Sequence, residues 1–384
     1  MAAAFVSMFT LFGIAYSFGA FFEPMAREFH INRASTSAVF SITAFLYFGL
    51  GSVTGAIADR IGPRPVMVFA ALVTSAGLVL TSFTSSIWLG YLSYGLGVGI
   101  GTACGYVPMV AAVGGWFTRG RSLAIGVAVT GIGFGTLLGA PLAAAVIRGL
   151  GWRQTYLLMG IASLVLLLGC AALAERPPAG PRADLRLGAA VRTREFVGMW
   201  VCGLLVSFSL FMAIVHIAPF ATQHGADPVL AAALIGIIGA ASVVGRLALG
   251  GIAARIGSVR AFQTAVVLLA FSFAIWLLVP SYAGLAVFAV ALGVGYGGWV
   301  ALSPSVLADL FGAKGLGGTV GALYTSAAVG SLLGPPFAGF LVDRTGSYTV
   351  AIGTALALGI ASILPVLWLP SGRVQSIYGD RQHS

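Results

Sequence analysis

The sequence predicts an all-α integral membrane protein of twelve transmembrane helices, arranged as two pseudo-symmetric six-helix bundles. Three observations carry that expectation: a composition too apolar to coat a water-facing surface, apolar stretches of bilayer-spanning length along the whole chain, and a self-similarity at an offset of 195 residues. Of 384 residues, 59% are hydrophobic and 8% charged, and the mean hydropathy is +1.02. Soluble domains carry about 25% charged residues. Lipid must therefore be the solvent for most of this surface.

A hydrocarbon core about 30 Å thick is crossed by roughly 20 apolar helical residues. Stretches of that length fall at 1–23, 36–58, 65–84, 87–115, 121–148, 153–174, 195–222, 228–253, 259–280, 283–310, 316–342 and 348–369. Strict apolar–polar alternation is absent, which removes a membrane barrel with a polar lumen and leaves helices to satisfy the backbone in lipid. The 54 glycines suit helices packed backbone to backbone. The first stretch lacks a basic leading region and a cleavage site, so it reads as a retained first helix rather than a signal peptide.

The formal charge of +10 raises the question of nucleic acid, but its distribution answers a different one. With both termini cytoplasmic, the inner loops, the segment between the halves and the tail carry Arg60, Arg64, Arg119, Arg121, Arg176, Arg182, Arg186, Arg192, Arg194, Arg255, Arg260, Lys314, Arg373 and Arg381. The outer loops carry Arg27, Arg33, Arg148, Arg153 and Arg344. That bias satisfies the positive-inside rule, and no nucleic-acid partner is needed to explain the charge. Cys104, Cys170 and Cys202 lack ligand spacing, so neither a disulfide framework nor a metal site is expected. No nucleotide-binding loop or nucleophile constellation appears, which argues against an enzyme, a bound cofactor and ATP-driven pumping.

At the offset of 195, Gly55 meets Gly250, Arg60 meets Arg255, Gly62 meets Gly257, Gly126 meets Gly321 and Gly151 meets Gly346. The string GTLLGAP (Gly135 to Pro141) meets GSLLGPP (Gly330 to Pro336). These matches predict an N-terminal bundle over 1–174 and a C-terminal bundle over 195–370. The polar, proline-bearing and basic segment 175–194 is the cytoplasmic linker, and 371–384 is a cytoplasmic tail.

The loop GAIADRIGPR, Gly55 to Arg64, resembles the G-x-x-x-D-R-x-G-x-R signature of the major facilitator superfamily. A degenerate copy, GGIAARIGSVR, follows the eighth helix, with Ala254 in place of the aspartate. Asp59 near a helix end can pair with arginines and cap neighbouring helices, holding one conformation. Gly55, Asp59, Arg60, Gly62, Arg64 and Arg255 are thus the expected gating motif; enforcement of topology is the plainer role of the arginines.

An ionised side chain inside the membrane costs about 2.5 to 3.5 kcal/mol by insertion scales. Arg246, within the eighth helix, is the clearest case. It has two available fates: reaching back to the cytoplasmic surface, or facing the cavity as a fixed cation. In the second role its planar fork of donors matches the two oxygens of a carboxylate, which makes a small organic anion the expected partner.

The strings YSFGAFFEPM (Tyr16 to Met25), GYVPMVAAVGGWF (Gly105 to Phe117), GWR (Gly151 to Arg153), VGRLALG (Val244 to Gly250) and LLGPPFAG (Leu332 to Gly339) resemble the bacterial branch of the monocarboxylate transporter family, to which the oxalate/formate exchangers are related. The resemblance runs over essentially the whole chain. It implies a multi-pass protein of the plasma membrane, the inner membrane of a bacterium. It also implies that Arg246 binds the substrate carboxylate, that Tyr296 borders the substrate, and that Tyr106 is a cavity tyrosine. Two positions depart from the animal members: Ser242 stands where they carry an aspartate, and Ala20 where they carry a lysine. Both family residues are linked to proton coupling, so anion binding is better supported than proton symport. The exchangers' second cation, a lysine in the eleventh helix, is also missing, since the chain's single lysine is Lys314 in a loop. A monoanion is favoured over a dianion.

His216, in the seventh helix, either serves substrate or proton or is satisfied by a neighbouring carbonyl. Tyr16, Tyr47, Tyr324 and Phe134 are further candidates for the cavity wall, with packing as the alternative. The expected function is alternating-access transport of a lactate- or pyruvate-like monocarboxylate by a monomer, with a proton as candidate co-substrate. Efflux of a hydrophobic compound, and a non-transporting sensor or scaffold, are the competing readings.

Overall fold

The computed structural model describes residues 1–117, 121–176, 190–311 and 316–370. Most of the expected linker and all of the expected tail lie outside the described residues, as do Arg119 and Lys314. The described chain contains helices and no strand. Eleven helices are long and apolar enough to cross a membrane, and twelve when one bent pair counts as a single span. In chain order, α1 comprises Ala2–Tyr16 and Phe18–Glu28, α2 comprises Arg33–Gly49 and Gly51–Ile61, and α3 is Pro63–Ser82. Next come α4 (Ile87–Gly90, a π-helical turn Tyr91–Leu96, then Gly97–Trp116), α5 (Arg121–Leu150) and α6 (Trp152–Leu173). The second six are α7 (Arg194–Gln223), α8 (Pro228–Ile256), α9 (Ser258–Leu278), α10 (Tyr282–Phe311), α11 (Leu316–Thr345) and α12 (Thr349–Ala361 and Leu364–Leu367).

Three spans expected to be continuous are interrupted, α12 at Ser362 and Ile363 and the other two nearer the start of the chain. The Ser17 hydroxyl donates to the Ile14 carbonyl at 2.8 Å where α1 breaks, a local bond that competes with the helical ladder. α2 turns by 48° at Leu50, between Gly49 and Gly51, where paired glycines resist bending least.

The repeat offset extends into backbone geometry. Positive φ occurs among the described residues at His30, Gly62, Gly151, Gly225, Gly257 and Gly346. Each of the first three is matched 195 residues on, by Gly225, Gly257 and Gly346. The turns that end helices in the first half therefore recur in the second, and the glycines are there because side chains rarely adopt this conformation.

Within each six-helix set the closest packing joins α1 to α5, α3 to α6, α8 to α10, α9 to α10 and α7 to α11. Between the sets, α2 lies along α11 and α5 along α8. The start of α7 packs on the end of α12, where a Cβ at Gly198 would lie 2.8 Å from the Pro365 carbonyl oxygen. Met1 and the end of α12 thus share one face of the bundle, called the terminal face below.

At the far face the two sets are locked. A Cβ on Gly339 of α11 would come within 2.6 Å of the Ala34 nitrogen of α2, and one on Gly236 of α8 within 2.6 Å of the Leu137 carbonyl of α5. Asp343 at the end of α11 accepts the backbone N–H groups of Arg33 and Ala34, at 3.2 and 3.1 Å. Arg148 at the end of α5 pairs with Asp227, whose carboxylate also caps α8 by accepting the Val229 N–H at 2.8 Å. Further along the same two helices toward the terminal face, Gly126 and Gly250 stand against open space, with no atom within 4 Å of where a Cβ would be.

Candidate functional site

Arg246 lies in α8 between Gly236, packed on α5, and Gly250, which stands against open space. α8 continues to Ile256, ten residues beyond it, so at 1.5 Å per residue Arg246 is about 15 Å from the helix end, deeper than the sequence suggests. Its side chain does not run to the terminal face. Nη1 donates to the Val129 carbonyl of α5 at 3.0 Å, and the guanidinium carbon stands 5.9 Å from the centre of the Tyr296 ring.

A carbonyl bonded to a side chain from the opposite half is unusual, because helical carbonyls are normally consumed within their own helix. The remaining nitrogens, Nε and Nη2, are buried and have no hydrogen-bond partner among the described residues. These two share one edge of the guanidinium plane, spaced to meet both oxygens of a carboxylate.

Around this cation stands a wall of aromatic residues drawn from both halves. The Tyr16 hydroxyl lies 3.5 Å from that of Tyr47 and 3.3 Å from that of Tyr296, joining α1, α2 and α10. Tyr106 of α4 packs edge-on against Phe12 at 5.3 Å. Tyr106 and Tyr324 interact with each other and with the Arg246 charge. Phe48 of α2 meets Tyr324 of α11 at 5.9 Å, closing the wall between halves. Of the expected site residues, Arg246, Tyr296, Tyr16, Tyr47, Tyr106 and Tyr324 are thereby brought together.

The others are elsewhere. Phe134 is 45% exposed and packs on Phe5 at 5.9 Å, away from the tyrosines. His216 is fully buried, with Nε2 at 2.9 Å from the Pro335 carbonyl and Nδ1 at 3.4 Å from the Tyr348 hydroxyl. Both ring nitrogens are therefore engaged, joining α7 to the interior of α11 at Pro335 and to Tyr348 at the start of α12. Ser242 donates to the Gly239 carbonyl of its own helix at 2.7 Å, so no carboxylate stands one turn before Arg246.

At the loop motif, Gly62 has φ +94°, a conformation that requires glycine. A Cβ at Gly55 would press on Val107 of α4 at 3.1 Å. Asp59, Arg60, Arg64 and Arg255 are exposed at the terminal face, and none of the ion pairs among the described residues involves Asp59. The end of α2 is instead capped by Arg176, whose Nη2 donates to the Asp59 and Arg60 carbonyls at 2.6 and 2.9 Å. In the sequence Arg176 is one basic residue of the linker among several. The GWR string also gains a structural role: Arg153 bonds Glu28 through Nε and Nη2, at 3.0 and 2.7 Å, and the Ser82 carbonyl through Nη1 at 2.9 Å. It ties α1, α3 and α6 together at the far face.

Comparison with known proteins adds three findings. The family model described as Major Facilitator Superfamily matches residues 3–284. Monocarboxylate transporter 13 of Bos taurus is 32% identical over 382 residues, covering 96% of this chain and 88% of the relative, and monocarboxylate transporter 11 of Homo sapiens is 32% identical over 394 residues, covering 95% and 83%. Among solved structures, a bacterial homolog of the human lysosomal transporter Spinster aligns with a TM-score of 0.69 at 17% identity, covering 95% of this chain and 93% of that one.

Proposed function

The chain belongs to the monocarboxylate transporter family of the major facilitator superfamily, and from that premise we propose that it moves a lactate- or pyruvate-like monoanion across a membrane by alternating access, with Arg246 as the carboxylate receptor. It is a multi-pass membrane transporter of small monocarboxylates, not an enzyme. The observation that carries the finer assignment is the buried, unpartnered Nε and Nη2 edge of Arg246. Leaving such donors unmet costs on the order of 1–3 kcal/mol, and more for a charged group. A carboxylate at about 4 Å in an effective dielectric near 20 returns roughly 4 kcal/mol before its own desolvation. The arginine therefore gains most from an anion that the aromatic wall admits.

With the termini in the cytoplasm of a bacterial cell, the locked far face is the extracellular one, and this conformation is closed to the outside. The two bundles, 1–174 and 195–370, then rock about Arg246, and contacts such as Asp343 on the α2 N-terminus break in the opposite state. The functional unit of this reading is a monomer. His216 acts in this reading as a far-face packing residue rather than a substrate ligand.

Competition for labelled lactate uptake into proteoliposomes tests the substrate class. Pyruvate should compete at concentrations similar to lactate. Lactamide, which lacks the charge, and malonate, whose second carboxylate meets no lysine in α11, should each be at least about tenfold weaker, a loss of roughly 1.4 kcal/mol. Equal competition by lactamide would remove the carboxylate from the recognition. An inside-alkaline gradient that accelerates uptake identifies the proton as co-substrate, and unchanged rates identify facilitated diffusion.

A further inference from the structure

The Val129 carbonyl reaches Arg246 only because α5 and α8 nearly touch one turn away. Gly133 lies one helical turn after Val129 on α5, and Val243 lies about one turn before Arg246 on α8. A Cβ at Gly133 would fall 2.3 Å from the Val243 Cγ2 atom and 3.0 Å from the Gly239 carbonyl oxygen. Reciprocally, a Cβ at Gly239 would fall 2.9 Å from the Gly133 carbonyl oxygen and 2.6 Å from the Thr136 Cβ. The severe contact at Gly133 is with the Val243 side chain, which is β-branched and stiff at χ1, while the Gly239 oxygen is only tight at 3.0 Å, so a methyl group here presses α5 and α8 apart as long as Val243 fills the space. The first contact beyond the crossing is the 3.0 Å bond from Nη1 to Val129.

We infer that Gly133 is a positioning residue for substrate recognition: its missing side chain lets Val129 hold Nη1 of Arg246, which fixes the guanidinium plane with its Nε and Nη2 edge turned to the substrate. The inference rests on the carboxylate reading of Arg246 and deepens it. A guanidinium held at one nitrogen by the opposite half is aligned before substrate arrives, so less freedom is lost on binding. The same bond makes the receptor complete only while α5 and α8 are in contact, linking affinity to the approach of the halves.

A double-mutant cycle on the Kd for lactate, measured by equilibrium binding to the purified protein, separates this role from a merely structural one. Gly133→Ala should raise Kd about tenfold, the loss of one aligned charge-assisted bond. Adding Val243→Ala, which removes the 2.3 Å clash, should restore most of the affinity. In an Arg246→Lys background, where a rotating ammonium has no edge to align, Gly133→Ala should leave Kd unchanged. The same fold-rise in both backgrounds, or no rise in the otherwise unaltered protein, overturns the inference while leaving the carboxylate reading intact. A Kd insensitive to Arg246→Lys overturns that reading and the inference together. If Gly133→Ala is not recovered folded, Val243→Ile presses one methylene into the same contact; it should give a smaller rise that again disappears with Arg246→Lys, and an undiminished rise there overturns the proposal.

Discussion

Arg246→Ala is expected to abolish saturable lactate uptake in proteoliposomes while leaving a folded, monodisperse protein. The substitution removes the bond to Val129 and both free donors of the site. Truncating one partner of a buried, hydrogen-bonded charge pair costs about 2–5 kcal/mol, roughly a thirtyfold to several-thousandfold loss of affinity, which takes binding out of the range that gives saturable uptake. Folding should survive, because an ionised group held in a membrane is costly and its removal relieves that cost. Arg246→Lys should retain some binding, since an ammonium supplies the charge without the bidentate fork. Undiminished uptake by Arg246→Ala would take this residue out of the mechanism and leave only the carrier architecture.

The second large effect concerns the far-face lock. Asp343→Ala combined with Asp227→Ala is expected to shift the resting population toward the state open at that face by about an order of magnitude. Asp343 accepts two N–H groups at the start of α2, a cap of about 1 kcal/mol that also meets the positive end of the helix dipole. Asp227 accepts from Arg148 across the halves. The Arg148 guanidinium, with the Val229 amide, holds the Asp227 carboxyl below its ordinary value of 3.8. A depressed acid stabilises the closed form at every pH above its ordinary value and loses that effect only as pH falls through the lowered one, so the Asp227 contribution to the lock is at full strength at neutral pH. The change is readable as a distance between spin labels at Trp88 and Leu278, exposed residues of α4 and α9 at the far face. A longer-distance population should grow in the double variant. An unchanged distribution would mean that the two carboxylates do not hold the face closed.

The two parts of this lock occupy equivalent places in the repeat. Adding 195 to Arg148 gives Asp343, and adding 195 to Asn32, the α2 cap, gives Asp227. The same two helix ends therefore meet on both sides, once as an ion pair and once as a carboxylate on a helix N-terminus. The repeat itself was legible in the sequence from glycines and arginines at one offset. That these positions touch was not, because a contact between residues 79 apart or 309 apart leaves no local pattern.

Arg246 could be singled out because charge is rare and expensive in such a chain, and the tyrosines that join it fell on positions resembling the family's cavity. Its Val129 partner was invisible, since every residue carries a carbonyl and only the crossing of α5 and α8 makes this one special. His216 illustrates an ambiguity that residue type cannot resolve: whether a buried imidazole has a free nitrogen depends on what neighbouring helices offer, here Pro335 and Tyr348. The breaks in α1, α2 and α12 leave no mark in the sequence because these stretches are apolar throughout, and hydropathy does not distinguish a straight span from a broken one. Arg176 was hidden for the opposite reason, as one arginine among several in a basic segment.

The most direct test of the account is a solid-state NMR distance between the carboxylate carbon of labelled lactate and arginine side-chain nitrogens in the bilayer-reconstituted protein. A carboxylate seated on the free edge of Arg246 places its carbon within about 4 Å of Nε and one Nη, and that dipolar contact should vanish in Arg246→Lys. Bound lactate with no arginine contact, or a contact that survives the substitution, would contradict the assignment.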